Sequence, residues 1–222
     1  MRKSAIFFAL CRILPDHSWL VGTRGIAVSP QTARTKTEAE GKQKPEDSKQ
    51  RPVAKSKVYL LHSDLLRKDA SHPDAQIVTG NVSFRHDSVY MYCDSACYYD
   101  KVSSFEAFGN VKMVQGDTLF LYGDRLYYDG LTQIAEMRCN VRMENRTTTL
   151  LTDSLNYDRV YNLGYFFDGG TLMDEQNVLT SEWGEYSPQT KQSVFNYNVK
   201  LVNPQFTLTS DTLRYNTASK DS

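Results

Sequence analysis

From residue 77 onward, apolar side chains fall at every second position in short runs, and glycine, asparagine and aspartate interrupt the runs. Val111 and Met113 flank Lys112; Leu119 and Leu121 alternate with Phe120 and Tyr122. A period of two marks strands with one buried face. Gly-Asn and Gly-Asp pairs mark the turns between them. The stretch 109–130, GNVKMVQGDTLFLYGDRLYYDG, holds one whole unit of this pattern. No segment carries a helical period.

The unit repeats. An acidic residue precedes a tyrosine by four positions at Asp94/Tyr98, Asp124/Tyr128, Asp153/Tyr157, Glu182/Tyr186 and Asp211/Tyr215, and the acidic positions step by 30, 29, 29 and 29. Asp64 forms a degraded first copy without the tyrosine. The other half of the unit is Gly80-Asn81-Val82, Gly109-Asn110-Val111, Cys139-Asn140-Val141 and Tyr197-Asn198-Val199; the copy around Gly169-Gly170 and Leu172-Met173-Asp174 breaks it. A fixed period of this length is the signature of stacked supersecondary units, none of which buries its apolar face alone. The expected fold is all-β and repetitive, each unit of about 29 residues holding two to four short strands.

Charge divides the chain. Residues 1–57 hold 12 Lys+Arg against 5 Asp+Glu, whereas residues 58–222 hold 14 against 21 and all 14 tyrosines. Residues 1–29 read as a signal or leader segment, with Arg2-Lys3 ahead of the apolar run 5–10. Residues 30–57, polar and poor in large apolar groups, read as a disordered linker. Residues 58–222 are the β-repeat domain; residues 67–76 within it, polar and containing His72-Pro73-Asp74, read as a loop. The repeat pattern runs to within a few residues of Ser222, as if the domain were cut short.

Little points to chemistry. The ladder of acidic residues, with a step of about 4.8 Å in parallel register, fits carboxylates that accept backbone N–H groups in their own turns better than a calcium site, because the Gly-Gly-x-Gly-x-Asp loop of calcium solenoids is missing. The tyrosine four positions later reads as a corner residue with a packed ring and its hydroxyl at the rim. His62, His72 and His86 lack ligand spacing, and no catalytic triad, phosphate loop or CxxC occurs. Metal and cofactor are therefore expected to be absent, and the acidic domain disfavours nucleic acid. Cys93, Cys97 and Cys139 read as free thiols, with a Cys97–Cys139 bridge as the alternative.

What remains is the inner face: Val82, Phe84, Val89, Met91, Val111, Met113, Leu119, Leu121, Val141, Met143, Leu150, Leu172, Leu179, Val199, Leu201 and Leu208. In a closed stack these form a dry core. In an open trough they line an apolar groove suited to acyl chains, each buried methylene contributing about 0.8 kcal/mol.

The units GNVSF…CDSACYYD (80–100), FGNVKMVQGDTLFLYGDRLYYD (108–129) and LLTDSLNYD (150–158) resemble the OstA-like family, the LptA-type periplasmic lipopolysaccharide-transport bridge proteins, in the form typical of Bacteroidetes. The resemblance covers residues 58–219. It implies a twisted, V-shaped β-jelly roll of stacked antiparallel strands, open at both ends, and a non-enzymatic protein in the periplasm associated with the inner or outer membrane. It implies that lipid A chains of lipopolysaccharide lie against the inner-face residues. Partner bridge proteins, or further copies of this chain head to tail, would join the sheet edges near residues 58–61 and 206–215. Two other classes compete: a β-solenoid enzyme acting on cell-surface polysaccharide, for which the extra carboxylates Glu106 and Glu136 are the only candidates, and an adhesive or structural repeat with a fully packed core.

Overall fold

The computed structural model describes residues 56–69 and 72–219. The leader expected at 1–29 and the linker up to residue 55 lie outside the described residues. The strands are β1 (Tyr59–His62), β2 (Leu65–Asp69), β3 (His72–His86), β4 (Val89–Tyr99), β5 (Ser104–Gln115), β6 (Leu119–Asp129), β7 (Ile134–Asn145), β8 (Thr148–Asp158), β9 (Leu163–Phe166), β10 (Gly170–Met173), β11 (Val178–Ser181), β12 (Trp183–Tyr186), β13 (Gln192–Asn203) and β14 (Phe206–Asn216). All pairings are antiparallel, within a single 14-stranded sheet. One short 3-10 turn, Asp100–Val102, joins β4 to β5.

Each long strand is bent once. The registers of β3 to β8 shift in mid-strand, at Thr79/Val82, Tyr92/Ser95, Phe108/Val111, Tyr122/Arg125 and Arg138/Val141, and again in β13 at Asn196/Val199. Two residues on one strand oppose one acidic residue on the next. The pair takes left-handed backbone: Gly80 and Asn81 at φ +80 and +47, Gly109 and Asn110 at +75 and +45, Cys139 and Asn140 at +63 and +51, Tyr197 and Asn198 at +65 and +52. Glycine and asparagine tolerate that region best, which is why they recur there. A Cβ on Gly109 would also stand 2.5 Å from the Asp94 carboxylate.

The bends fold the sheet into two facing walls. The first wall is β1, the outer ends of the bent strands (residues 82–86, 89–93, 111–115, 119–123, 141–145, 148–152), β10, β11, residues 199–203 and 206–210. The second is β2, the other halves (76–79, 95–99, 104–108, 125–129, 134–138, 154–158), β9, β12, residues 192–196 and 212–216. Phe84 of the first wall stacks on Phe105 of the second with ring centroids 4.1 Å apart, so the walls touch. This is an all-β jelly-roll arrangement in a V, with the corner as its ridge.

One period of 29 or 30 residues is thus one bent hairpin spanning both walls. The acidic residues sit on every second strand, so their spacing is about 9.6 Å, twice the strand spacing, rather than one strand step. The expected loop at 67–76 is instead a hairpin: β2 pairs with β3 from Leu65↔Thr79 to Asp69↔His72. The degraded first copy still has its corner at Asp64, and that corner sets the register which the polar composition hid. In the irregular fifth copy the bends open fully, so residues 167–169 separate β9 from β10 and Glu182 separates β11 from β12.

Candidate functional site

The space between the walls is the candidate site. Of the sixteen inner-face residues, fifteen are buried to 4 % exposure or less: Val82, Phe84, Val89, Met91, Val111, Met113, Leu119, Leu121, Val141, Met143, Leu150, Leu172, Leu179, Val199 and Leu201. Leu208, at one end, is partly buried and packs on the same cluster, as does Leu60 at the other. All sixteen belong to the first wall.

The second wall was missed. Val78, Ala96, Phe105, Ala107, Leu126, Met137, Leu155, Phe166 and Phe195 face inward from it, with the tyrosines of the repeat, Tyr98, Tyr128, Tyr157, Tyr186 and Tyr215. The alternation after each acidic residue carried the signal, but its phase flips at the corner: in β4 the buried positions run Val89, Met91, Cys93 and then Ala96, Tyr98. The result is one continuous apolar interior, closed on itself.

The ridge of the V is polar and exposed. The Asn81 amide donates to Asp64 at 3.0 Å, Asn110 to Asp94 at 2.8 Å, and Asn140 and Asn198 likewise to Asp124 and Glu182. Each carboxylate is therefore served by a side chain from the following strand, not chiefly by its own turn as the sequence led one to expect. Asp153 faces Gly169-Gly170 where an asparagine would stand, and takes the backbone N–H of Asn140 at 3.2 Å instead. Among the described residues no group of His, Cys, Asp and Glu could hold a metal ion, and no disulfide joins Cys93, Cys97 or Cys139.

The opposite side of the V is closed by a polar seam. Hairpin ends of the first wall meet tyrosines and turns of the second there. The Tyr128 hydroxyl lies 2.7 Å from His86 Nδ1, and the Arg159 guanidinium donates to the same hydroxyl. His86 Nε2 stands 2.8 Å from Ser56 Oγ and 3.2 Å from the Ser56 carbonyl. These partners fit a neutral imidazole with its proton on Nε2. Further along, Gln115 and Tyr157 both donate to Asn162 Oδ1, at 2.9 and 3.2 Å. Asn145 donates to the Pro188 carbonyl and accepts from Lys191. Tyr215 donates to Asp174 and accepts from Asn177 at 2.8 Å. Tyr98 reaches the Val58 carbonyl at 2.8 Å. The repeated tyrosine is thus a seam residue, a full half-strand from the corner the sequence assigned it to.

Electrostatics at the seam follow from burial. Burial lowers the His86 pKa, the Arg159 charge lowers it further, and Asp87 only partly opposes them. Burial pushes the Tyr128 hydroxyl up to about 12, against the pull of Arg159. Asp174 ends below the usual carboxylate range; burial works against this, but bonds from Tyr215 and Asn177 outweigh it.

Glu106 and Glu136 stand on β5 and β7, with one strand between them. They lie on the outer face of the second wall with Tyr127 between them in the cross-strand row, and Glu136 is engaged by Arg138 at 3.0 Å. Burial raises the Glu106 pKa, against the charge of Arg125.

The OstA-like protein family model matches residues 55–211, and the chain belongs to that family. Among solved structures it is similar to LptH, the LptA homologous periplasmic component of the conserved lipopolysaccharide transport device from Pseudomonas aeruginosa. The match is 10 % identical with a TM-score of 0.29, covering 65 % of this chain and 93 % of that one. No curated protein matches the chain.

Proposed function

We propose that this protein is a non-enzymatic lipopolysaccharide-transport component of the periplasm, holding lipid A acyl chains between its two walls. The observation that carries this reading is the continuous apolar interior, unbroken from Leu60 to Leu208. One long side of it is bounded by side-chain hydrogen bonds alone. Acyl chains enter when that seam parts. The ridge, where every strand is covalently continuous or tied through an asparagine–carboxylate bond, acts as the hinge. Membership of the OstA-like family supports the substrate class. The strand edges of β1, β2 and β14, each paired on one side only among the described residues, would join partner sheets or a second copy by strand addition.

A photo-crosslinking residue at Leu208 or Leu60 tests this, since both are inward yet partly accessible. Crosslinks to purified lipopolysaccharide should form there and not from Tyr127, which points outward on β6 from the second wall. Equal labelling at all three positions, or none at the inward ones, rejects the lipid route.

The packing itself favours a second reading, a structural repeat whose walls never part. Native mass spectrometry after exposure to lipopolysaccharide separates the two: a lipid adduct supports transport, and its lack supports the structural repeat.

A further inference from the structure

We propose that the outer face of the first wall docks flat on an anionic lipid surface. This stands on surface residues alone and does not require that lipid ever enters between the walls.

The outward positions of neighbouring strands line up as Ser83, Tyr92, Lys112, Tyr122, Arg142 and Leu151. Aromatic and cationic side chains alternate along the middle of that row, and the cations lie on the rings. Arg142 sits 4.4 Å from the Tyr122 ring centroid, and the Lys112 ammonium 5.7 Å from Tyr122 and 5.5 Å from Phe120. The next row adds Arg85 and Tyr90. Tyr90, Tyr92 and Leu151, 38, 43 and 38 % exposed, present apolar surface beside these cations. Glu144 is the one acidic side chain among the outward positions of these strand halves, and it is held by Arg142 at 2.7 Å.

The charge of this face runs against the rest of the domain. Residues 58–222 carry 14 cationic against 21 acidic side chains. The outer face of the second wall, on the same strands, presents Glu106, Asp129 and Glu136 against Arg125 and Arg138. A body with one basic side and an acidic remainder turns the basic side toward a negative surface. The face is a broad pleated sheet rather than a cleft, which fits a planar partner and not a small ligand. Tyrosine rings, apolar in the body and polar at the tip, rest at the headgroup level of a bilayer, and lysine and arginine stems lie along apolar surface with their charges outward. Each cation close to an anionic leaflet strengthens binding by roughly fivefold.

The test is co-sedimentation of the full 222-residue chain with vesicles of phosphatidylcholine alone or mixed with phosphatidylglycerol. The Lys-rich stretch before Ser56 carries positive charge of its own, so matched variants decide. Lys112→Glu with Arg142→Glu should weaken binding to the anionic vesicles by at least about tenfold. Tyr92→Ala with Tyr122→Ala should weaken it too, and raised salt should release the wild type. Arg125→Glu with Arg138→Glu makes the same charge change on the other wall and should leave binding within about twofold of wild type. Circular dichroism confirms that each variant keeps its sheet. Equal loss from both charge-reversed pairs, unchanged binding by the first pair, or no vesicle binding by the wild type overturns the proposal.

Discussion

The Tyr128 hydroxyl, at the end of one wall, reaches His86 Nδ1, at the end of the other, across 2.7 Å. The two residues are 42 positions apart in the chain. Their contact closes the V where no backbone crosses. It is the centre of a seam made of side chains, and the seam decides whether the apolar interior is sealed.

Removing that hydroxyl tests how much the seam holds. In Tyr128→Phe, His86 Nδ1 and the Arg159 guanidinium both lose a partner in a buried place. Both keep their 3.1 Å contact with each other, so the loss is that of one buried hydrogen bond, about 0.5–1.5 kcal/mol. Urea unfolding should show a loss of that order, with an unchanged slope if only the native state is affected.

The same cluster makes stability depend on pH. His86 binds its proton less readily when folded than when unfolded, because burial and Arg159 disfavour the imidazolium. Between its lowered folded pKa and an unfolded value near about 6.5, the unfolded chain therefore binds more protons. The contribution is complete above pH about 6.5 and is lost as the pH falls through the folded pKa. Melting temperature should drop on acidification across that window. In His86→Gln this part of the drop should flatten; a wild-type slope in the variant would contradict the assignment.

The corner makes a graded expectation. Gly109 holds φ +75 with the Asp94 carboxylate close by. Gly109→Ala should cost about 1–3 kcal/mol, from strained backbone plus displacement of that carboxylate. Asn110→Ala loses an exposed hydrogen bond and puts alanine at φ +45 without a steric clash, and should cost less, about 1–2 kcal/mol. Thermal unfolding of the two variants side by side gives the order.

Met113 lies in the sealed interior with no exposure. Met113→Ala should cost about 2–5 kcal/mol through the cavity it leaves. Met113→Asp puts a carboxylate among Met91, Leu121 and their neighbours and should remove the folded state, read as loss of the β circular dichroism signal. A polar substitution there reports on the fold and not on a ligand, so crosslinking belongs at the partly accessible ends.

Much of this was legible in the residues. Alternation gave the strands, and the steps between acidic positions gave the hairpin repeat. The inner face of the first wall follows from Val111, Met113 and their equivalents, all buried as the period required. The second wall was hidden because the phase flips at each acidic corner, so Leu126 and Tyr128 look out of step with Leu119 and Leu121. The asparagine–carboxylate bonds were hidden because each joins residues 16 or 17 positions apart across neighbouring parts of the sheet. The seam was hidden more deeply. Arg159 meets His86 from 73 positions away, and no local pattern encodes a meeting of that kind.

The bent hairpin carries a final consequence. Each one brings its own elbow, its own rung on the ridge, and its own strip of both inner surfaces. A duplicated or deleted unit of 29 or 30 residues would lengthen or shorten the body by about 9.6 Å and leave its cross-section as it was. Reach, in such a molecule, is counted in whole units, like marks on a ruler.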